Sequence, residues 1–357
     1  NIESCHYQNL VLDESDQVSD FGSTVHDRLR THGVDPSKSP EKWNQTCATT
    51  LMSISATGFE GILLQKGNIL KNEDTFVLRI KPGKGYHGPK ELLSSGKVND
   101  SGGFFGFTDS YGKVRTLSQE ITAVNRGYSS FGTADAVFDH VATALRDLVG
   151  SLREQPDTSG NTFIYRNQKD RRSQNELIDA MVRTSGSEFE NLDLREILKN
   201  NPEIWLRKTR KLLQSTLDKA GDKRVAVHIP YFGSSIKSLD EFFVDTNGEM
   251  FGRLARQEEP LAKLLRHPSV DVYFYVVGKL KRGNTLAKEP VLGFFEEYGK
   301  TSKLPTIAQS FLGRCCGYYS DFKDCPVVYT HRDTINKLTK IMESSRLWDP
   351  GTYDSGV

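Results

Sequence analysis

Val270-Asp271-Val272-Tyr273-Phe274-Tyr275-Val276-Val277 is the most β-prone run in the chain, with a single charged side chain among its residues. A strand that apolar must be covered on both faces, as happens in parallel sheets whose crossover helices lie against each side. Other runs fit the same frame. Arg224 to Pro230, Thr162 to Tyr165 and Pro326 to Tyr329 read as further strands. Between them lie helical stretches at Asp193 to Lys219, Glu258 to Leu265 and Thr306 to Leu312, with another through Leu177, Ile178 and Met181. Strands alternating with helices predict an α/β fold of mostly parallel sheets flanked by helices.

Ala134 to Leu152 carry Val137, Phe138, Val141, Leu145, Leu148 and Val149 at the spacing of an amphipathic helix. Upstream, Gly83 to Tyr128 is rich in Gly and Ser with scattered aromatics, the composition of an insertion or linker. Phe104, Phe105, Phe107 and Tyr111 lie near Lys113 and Arg115 there, as the core of a small lobe or as a stacking surface for bases. The length of 357 residues accommodates two domains, or one with a large insertion.

Charge bounds the partners. Forty-seven basic residues against 46 acidic ones leave a formal charge of +1, so a polyanion would have to be held by a local basic surface. No apolar run approaches the roughly 20 residues of a membrane-spanning helix. Cys5, Cys47, Cys315, Cys316 and Cys325 are odd in number and lack Cys-x-x-Cys spacing, which predicts reduced thiols rather than a zinc site. The N-terminus reads as free of a secretion signal, and the expectation is a reducing, cytoplasmic setting.

The chemistry gathers at strand ends. Asn9 to Leu12 read as a short strand followed by Asp13, Glu14 and Asp16, and Thr49 to Ile54 as a second that delivers Ser55-Ala56-Thr57 to the same edge. In open α/β sheets ligands collect beyond the carboxyl ends of strands. Paired carboxylates there suit metal-assisted phosphoryl transfer: Asp13 would hold Mg²⁺ through water and Glu14 would polarise the attacking water. Ser55 and Thr57 could hydrogen-bond Asp16 and its neighbours and so couple phosphate state to the domain. Val277 to Thr285 combine glycines with cations, so that Lys279, Lys281 and Thr285 could bind phosphates and Asn284 a ribose or base edge beside Arg282 and Gly283. Gln309 to Arg314 end on an arginine suited to charge stabilisation at a γ-phosphate. Taken singly, these segments are equally a solvated turn, a strand-to-loop turn, a basic surface turn and an arginine near a helix cap.

Their order carries more than any one of them. The chain resembles a superfamily two helicase of the DExD/H type, more in the manner of viral, phage and Z1-like members than of cellular RNA helicases. Asp13-Glu14-Ser15-Asp16 resembles the Walker B segment, Ser55-Ala56-Thr57 the coupling motif, and Phe163 to Asn167 the strand opening the second domain. Arg282-Gly283-Asn284 resembles the fifth motif and Gln309 to Arg314 the sixth. The resemblance implies two RecA-like domains, the first represented only by its end at residues 1–75. An insertion would occupy 76–160, the second RecA-like domain 161–345, and a tail 346–357.

It further implies ATP and Mg²⁺ as cofactors, with Asp13, Glu14, Gln309 and Arg314 catalytic and Asp16, Ser55 and Thr57 coupling. DNA or RNA would be the partner, held as a single strand through its backbone phosphates by Lys279, Lys281, Arg282, Gly283, Asn284 and Thr285. Three departures stand out. No glycine-rich loop ending in Gly-Lys-Ser/Thr precedes the acidic segment, Gln309 is displaced by one residue, and Gly317 stands where a second arginine finger is usual. The missing loop implies a fragment whose N-terminal segment carries it. The competing expectation is a helicase-derived structural or interaction module without turnover, and a third is the motor of a restriction or repair nuclease.

Overall fold

The computed structural model describes residues 9–12, 30–31, 50–53, 84–155, 160–167, 171–232, 243, 249–256, 259–277, 285–287, 289–297, 312–319, 325–330, 332 and 336. The chain divides into two compact units, one of residues 1–84, 303–309 and 334–357, the other of residues 85–302 and 310–333. In the first unit β1 (Asn9–Leu12) and β2 (Thr50–Ser53) pair in parallel, with Leu12 opposite Ser53. Parallel neighbours need a crossover connection rather than a tight turn. Both strands therefore end on the same side.

The second unit begins with β3 (Tyr86–His87), α1 (Pro89–Ser94) and β4 (Val98–Asp100), then α2 (Leu117–Asn125) and α3 (Ala134–Glu154). Next come β5 (Thr162–Asn167), α4 (Arg171–Arg183), β6 (Phe189–Asp193), a 3₁₀ turn at Ile197–Lys199, α5 (Pro202–Ala220) and β7 (Arg224–Phe232). The chain continues through β8 (Glu249–Met250), α6 (Gly252–Arg256), α7 (Pro260–Leu265), β9 (Val270–Val277), β10 (Thr285–Leu286) and β11 (Val291–Glu296). It closes with α8 (Gly313–Cys315), β12 (Gly317–Tyr318) and β13 (Val327–Thr330).

Seven of these strands form one sheet in the order β4-β13-β11-β5-β9-β7-β6, and every neighbouring pair is parallel. A parallel sheet flanked by helices is an α/β architecture consistent with a RecA-like fold. All residues of β9 and β11 are buried, as strands covered on both faces must be.

Side-chain alternation sorts the core into two layers. On one face Phe163 and Tyr165 of β5, Tyr273 and Tyr275 of β9 and Phe295 of β11 meet the apolar stripes of α3 and α4. Tyr165 and Phe295 stack across neighbouring strands with ring centroids 5.6 Å apart. On the alternate positions Phe274 is surrounded by Phe243 at 4.9 Å, Phe251 at 5.0 Å and Tyr231 at 5.5 Å. Each such aromatic pair is worth about 0.5–1.5 kcal/mol beyond its buried area. α7 packs on β9, and α5 packs on β6, β7 and α7.

The helices begin where their caps dictate. Thr133 precedes α3 and its hydroxyl accepts from the Ala136 amide at 3.1 Å, while Val137, Phe138, Val141, Leu145, Leu148 and Leu152 form the buried stripe. α5 starts with Asn201 accepting from the Ile204 amide and Pro202 in the first turn, then ends at Gly221, whose φ of +59° suits glycine.

The stretch expected as an insertion supplies both α3, packed on the sheet, and β4, its edge strand paired with β13. Three strands of the large sheet escaped the sequence reading: β4, β6 and β11. Residues 189–193 form β6, and the two helical stretches expected after Asp193 become the 3₁₀ turn and α5. The helix expected at Thr306 to Leu312 lies outside the described residues, apart from Leu312. Gly160 sits where the chain enters β5, so close to β11 that an added Cβ would lie 2.6 Å from the Leu292 amide nitrogen and 2.9 Å from the Pro290 carbonyl oxygen. A glycine is required there by space alone.

Candidate functional site

Three adjacent strands end in polar residues at the carboxyl edge of the large sheet. Arg166 is the penultimate residue of β5, Glu296 the last of β11 and Thr330 the last of β13. The register sets Glu296 beside Arg166. Arg166 Nη1 donates to Glu296 Oε1 at 3.1 Å, and Thr330 Oγ1 donates to Glu296 Oε2 at 3.0 Å. Glu296 and Thr330 are fully buried, so both carboxylate oxygens are satisfied by side chains.

Arg314, on α8, belongs to the same neighbourhood. It is only 7% exposed, and its guanidinium is pulled down to about 10 by burial and by the like charge of Arg166, against the pull of Cys315 and Glu296. Burial lowers Arg166 as well, and Glu296 opposes that shift. Both buried guanidinium groups thus lie in the field of the buried Glu296 carboxylate. Bidentate forks of this type suit phosphate or carboxylate oxygens.

The flanking chain is tightly held. The Tyr319 hydroxyl donates to the Cys315 carbonyl at 2.6 Å, and the Cys316 thiol lies 3.1 Å from the Leu312 carbonyl. Cys315, Cys316 and Cys325 are buried and form no disulfide. Gly317 is buried in β12 opposite His87 of β3. Nearby, Glu297 lines a small cavity with Ser101, Phe105, Phe107 and Arg115.

A second polar group lies under α4. His228 of β7 is fully buried, with Nδ1 2.9 Å from the Tyr275 hydroxyl and Nε2 3.0 Å from Asn191 Oδ1. A neutral ring that donates from Nε2 and accepts at Nδ1 satisfies both contacts. Burial pushes its pKa down to about 4, Asp193 opposing and Arg195 and Arg146 adding to the shift. Its ring stacks on Tyr273 at 5.4 Å, an arrangement suited to a packed core rather than to proton exchange with solvent.

Of the residues singled out in the sequence, Arg314 is described with its surroundings. Thr285 lies in β10, paired in parallel with β8 opposite Glu249. Asp13, Glu14, Asp16, Ser55, Thr57, Lys279, Lys281, Arg282, Gly283, Asn284 and Gln309 lie outside the described residues, although β1 and β2 finish side by side immediately before the acidic and hydroxyl segments. Among the described residues no group of three or more His, Cys, Asp or Glu could hold a metal ion, and no helix is long and apolar enough to cross a membrane. Sequence reasoning missed Arg166, Glu296 and Thr330. A charged residue closing the apolar run Phe163-Ile164-Tyr165 was the available signal for Arg166, whereas Glu296 was hidden with β11.

No protein family and no curated protein matches this chain. Among solved structures, the crystal structure of Saccharomyces cerevisiae RIF2 aligns over 66% of this chain and 91% of that one, at 12% identity and a TM-score of 0.23. Similarity that low does not relate the two folds.

Proposed function

We propose that the chain is a nucleic-acid-dependent ATP hydrolase module of the superfamily two helicase type, working as a helicase or translocase. The observation that carries the reading is Arg314 beside Arg166 and Glu296 at the carboxyl edge of a wholly parallel sheet. Ligands gather at that edge in open α/β folds, and a buried cationic pair is matched to the charge that builds on a transferring phosphoryl group.

In this reading Arg314 supplies the guanidinium and Glu296 fixes Arg166, so that the two cations are held in a set geometry. Asp13 would hold Mg²⁺ through water, Glu14 would orient the attacking water, and Ser55 and Thr57 would relay the state of the phosphate. When bound, the metal neutralises phosphate charge. Lys279, Lys281, Arg282, Gly283, Asn284 and Thr285 would hold one DNA or RNA strand through its backbone phosphates.

The test is ATP hydrolysis with and without single-stranded DNA or RNA, by a chain that includes a phosphate loop ahead of Asn1. Stimulated hydrolysis that disappears in Glu14→Gln is the expected result. Absence of any stimulated hydrolysis would overturn the reading. The 7% exposure of Arg314 favours one competitor, a helicase-derived structural module in which this arginine binds the sheet edge together. That alternative places the cost of losing Arg314 in stability rather than in turnover.

A further inference from the structure

The exposed face of α5 carries Arg207, Lys208, Arg210 and Lys211 within little more than one turn. All four are exposed, and none forms an ion pair or hydrogen bond with a described residue. Some exposed cations elsewhere on this unit do lie against carboxylates, as Arg172 on Glu176, Arg183 on Asp139, Lys199 on Glu196 and Lys223 on Glu190. On α5 the nearest acids in sequence sit toward the two ends, at Glu203 and Asp218, and the Asp218 carboxylate accepts from Gln214 at 2.9 Å. Arg207 and Lys211, four residues apart, repel one another, as do Arg207 with Arg210 and Lys208 with Lys211 three apart. Like charges clustered this way weaken a helix unless something else uses them, and in a chain of formal charge +1 the cluster is a local choice rather than a global excess.

The opposite face anchors the helix. Trp205, Thr209 and Leu213 are buried at 1% exposure or less, and α5 packs on β6, β7 and α7. The cations therefore stand on a rigid support, with residues four apart separated by about 6 Å along the axis. A row of such charges complements successive phosphates of a nucleic-acid strand, with affinity but no sequence preference.

We infer that the outer face of α5, through Arg207, Lys208, Arg210 and Lys211, is a binding surface for the phosphate backbone of a nucleic-acid strand. The inference rests on nucleic acid being the partner, and it adds residues of α5 to those expected from the sequence at Lys279 to Thr285.

The experiment follows binding of a fluorescent oligothymidylate of about 20 nucleotides by anisotropy across a salt series, for the parent chain and for the fourfold variant Arg207→Gln, Lys208→Gln, Arg210→Gln, Lys211→Gln. Circular dichroism monitors the helix, whose buried face is untouched. The expected result is binding at least about ten-fold weaker at low salt, with a salt slope shallower by roughly 0.7 for each phosphate that the variant no longer neutralises. A variant that binds as the parent does, with the same slope, overturns the inference. If Lys279→Gln with Lys281→Gln weakens binding in that case, the functional reading survives and α5 lies off the track. A parent chain that ignores the oligonucleotide but binds polyglutamate overturns the inference too, while ATP hydrolysis still judges the functional reading separately.

Discussion

Arg166 and Glu296 face each other across β5 and β11, the neighbouring strands at the middle of the sheet, with 7% of the arginine and none of the glutamate exposed. Their contact of 3.1 Å is the pivot of the polar edge, since the same carboxylate also accepts from Thr330. Charges this deep are stable only as a set, because each has lost its water.

Glu296→Gln is therefore expected to be the most damaging change at this edge. It takes away the carboxylate that pairs with Arg166 and offsets the charge of Arg314, and loss of one partner of a buried pair costs about 3–5 kcal/mol. Urea unfolding reads this as a lowered midpoint with little change in slope. Arg314→Met should cost less, because it removes a repulsion along with a cation. A Glu296→Gln protein as stable as its parent would show that water reaches the pair.

Arg314 also separates turnover from architecture. In a chain competent for ATP hydrolysis, Arg314→Lys should lower kcat about 10³-fold or more with a small effect on KM for the nucleotide, since lysine keeps the charge but loses the planar fork. Unchanged kcat together with a depressed melting temperature would assign the residue to structure alone.

His228 makes stability depend on pH. Unfolded, its imidazole takes a proton near 6.5, whereas in the fold it does so only near 4. Between those values the unfolded state binds more protons, so stability is full above about pH 6.5 and drains away as the pH falls toward 4. The two limits differ by about 3 kcal/mol at 1.36 kcal/mol per unit. Unfolding free energies at pH 7.5, 6 and 5 should show the decline, and His228→Gln should flatten it. An equally steep profile in that variant would place the proton uptake elsewhere.

Two glycines should respond to alanine with opposite signs. Gly160→Ala drives a methyl group into the backbone of Pro290 to Leu292, and overpacking of that kind costs about 1–3 kcal/mol. Gly150 lies inside α3 with nothing within 4 Å of its would-be Cβ, so Gly150→Ala should gain about 0.5–1 kcal/mol of helix propensity. Thermal melts of the pair would move apart by several degrees, and a stabilised Gly160→Ala would contradict the close approach of β5 to β11.

The strands of the large sheet that announced themselves in the sequence were mostly apolar runs. Val270 to Val277 could be little else, and Arg224 to Pro230 and Thr162 to Tyr165 share its β-branched and aromatic character. α3 was equally legible, because its stripe repeats over many turns. β11 was not, since six residues interrupted by Gly293 and closed by Glu296 give no periodicity, and its identity depends on neighbours far away in sequence. β6 was missed for the opposite reason: as an edge strand of mixed polarity it is defined by pairing with β7. The polar edge inherited that blindness. Arg314 was visible as part of a motif, but its companion Glu296 could be found only once the strand beneath it existed.

The pairing of β4 with β13 carries a cost in time. Val98 must wait for Val328, roughly 230 residues later, before the border of the sheet is sealed, and pairings so distant in sequence slow folding. At ribosomal rates of about 5–20 residues per second, that flank stays open for roughly ten seconds to the better part of a minute. During that interval the unpaired edge of β4, with the apolar side chain of Val98, is a natural foothold for chaperones, and for aggregation when chaperones are scarce.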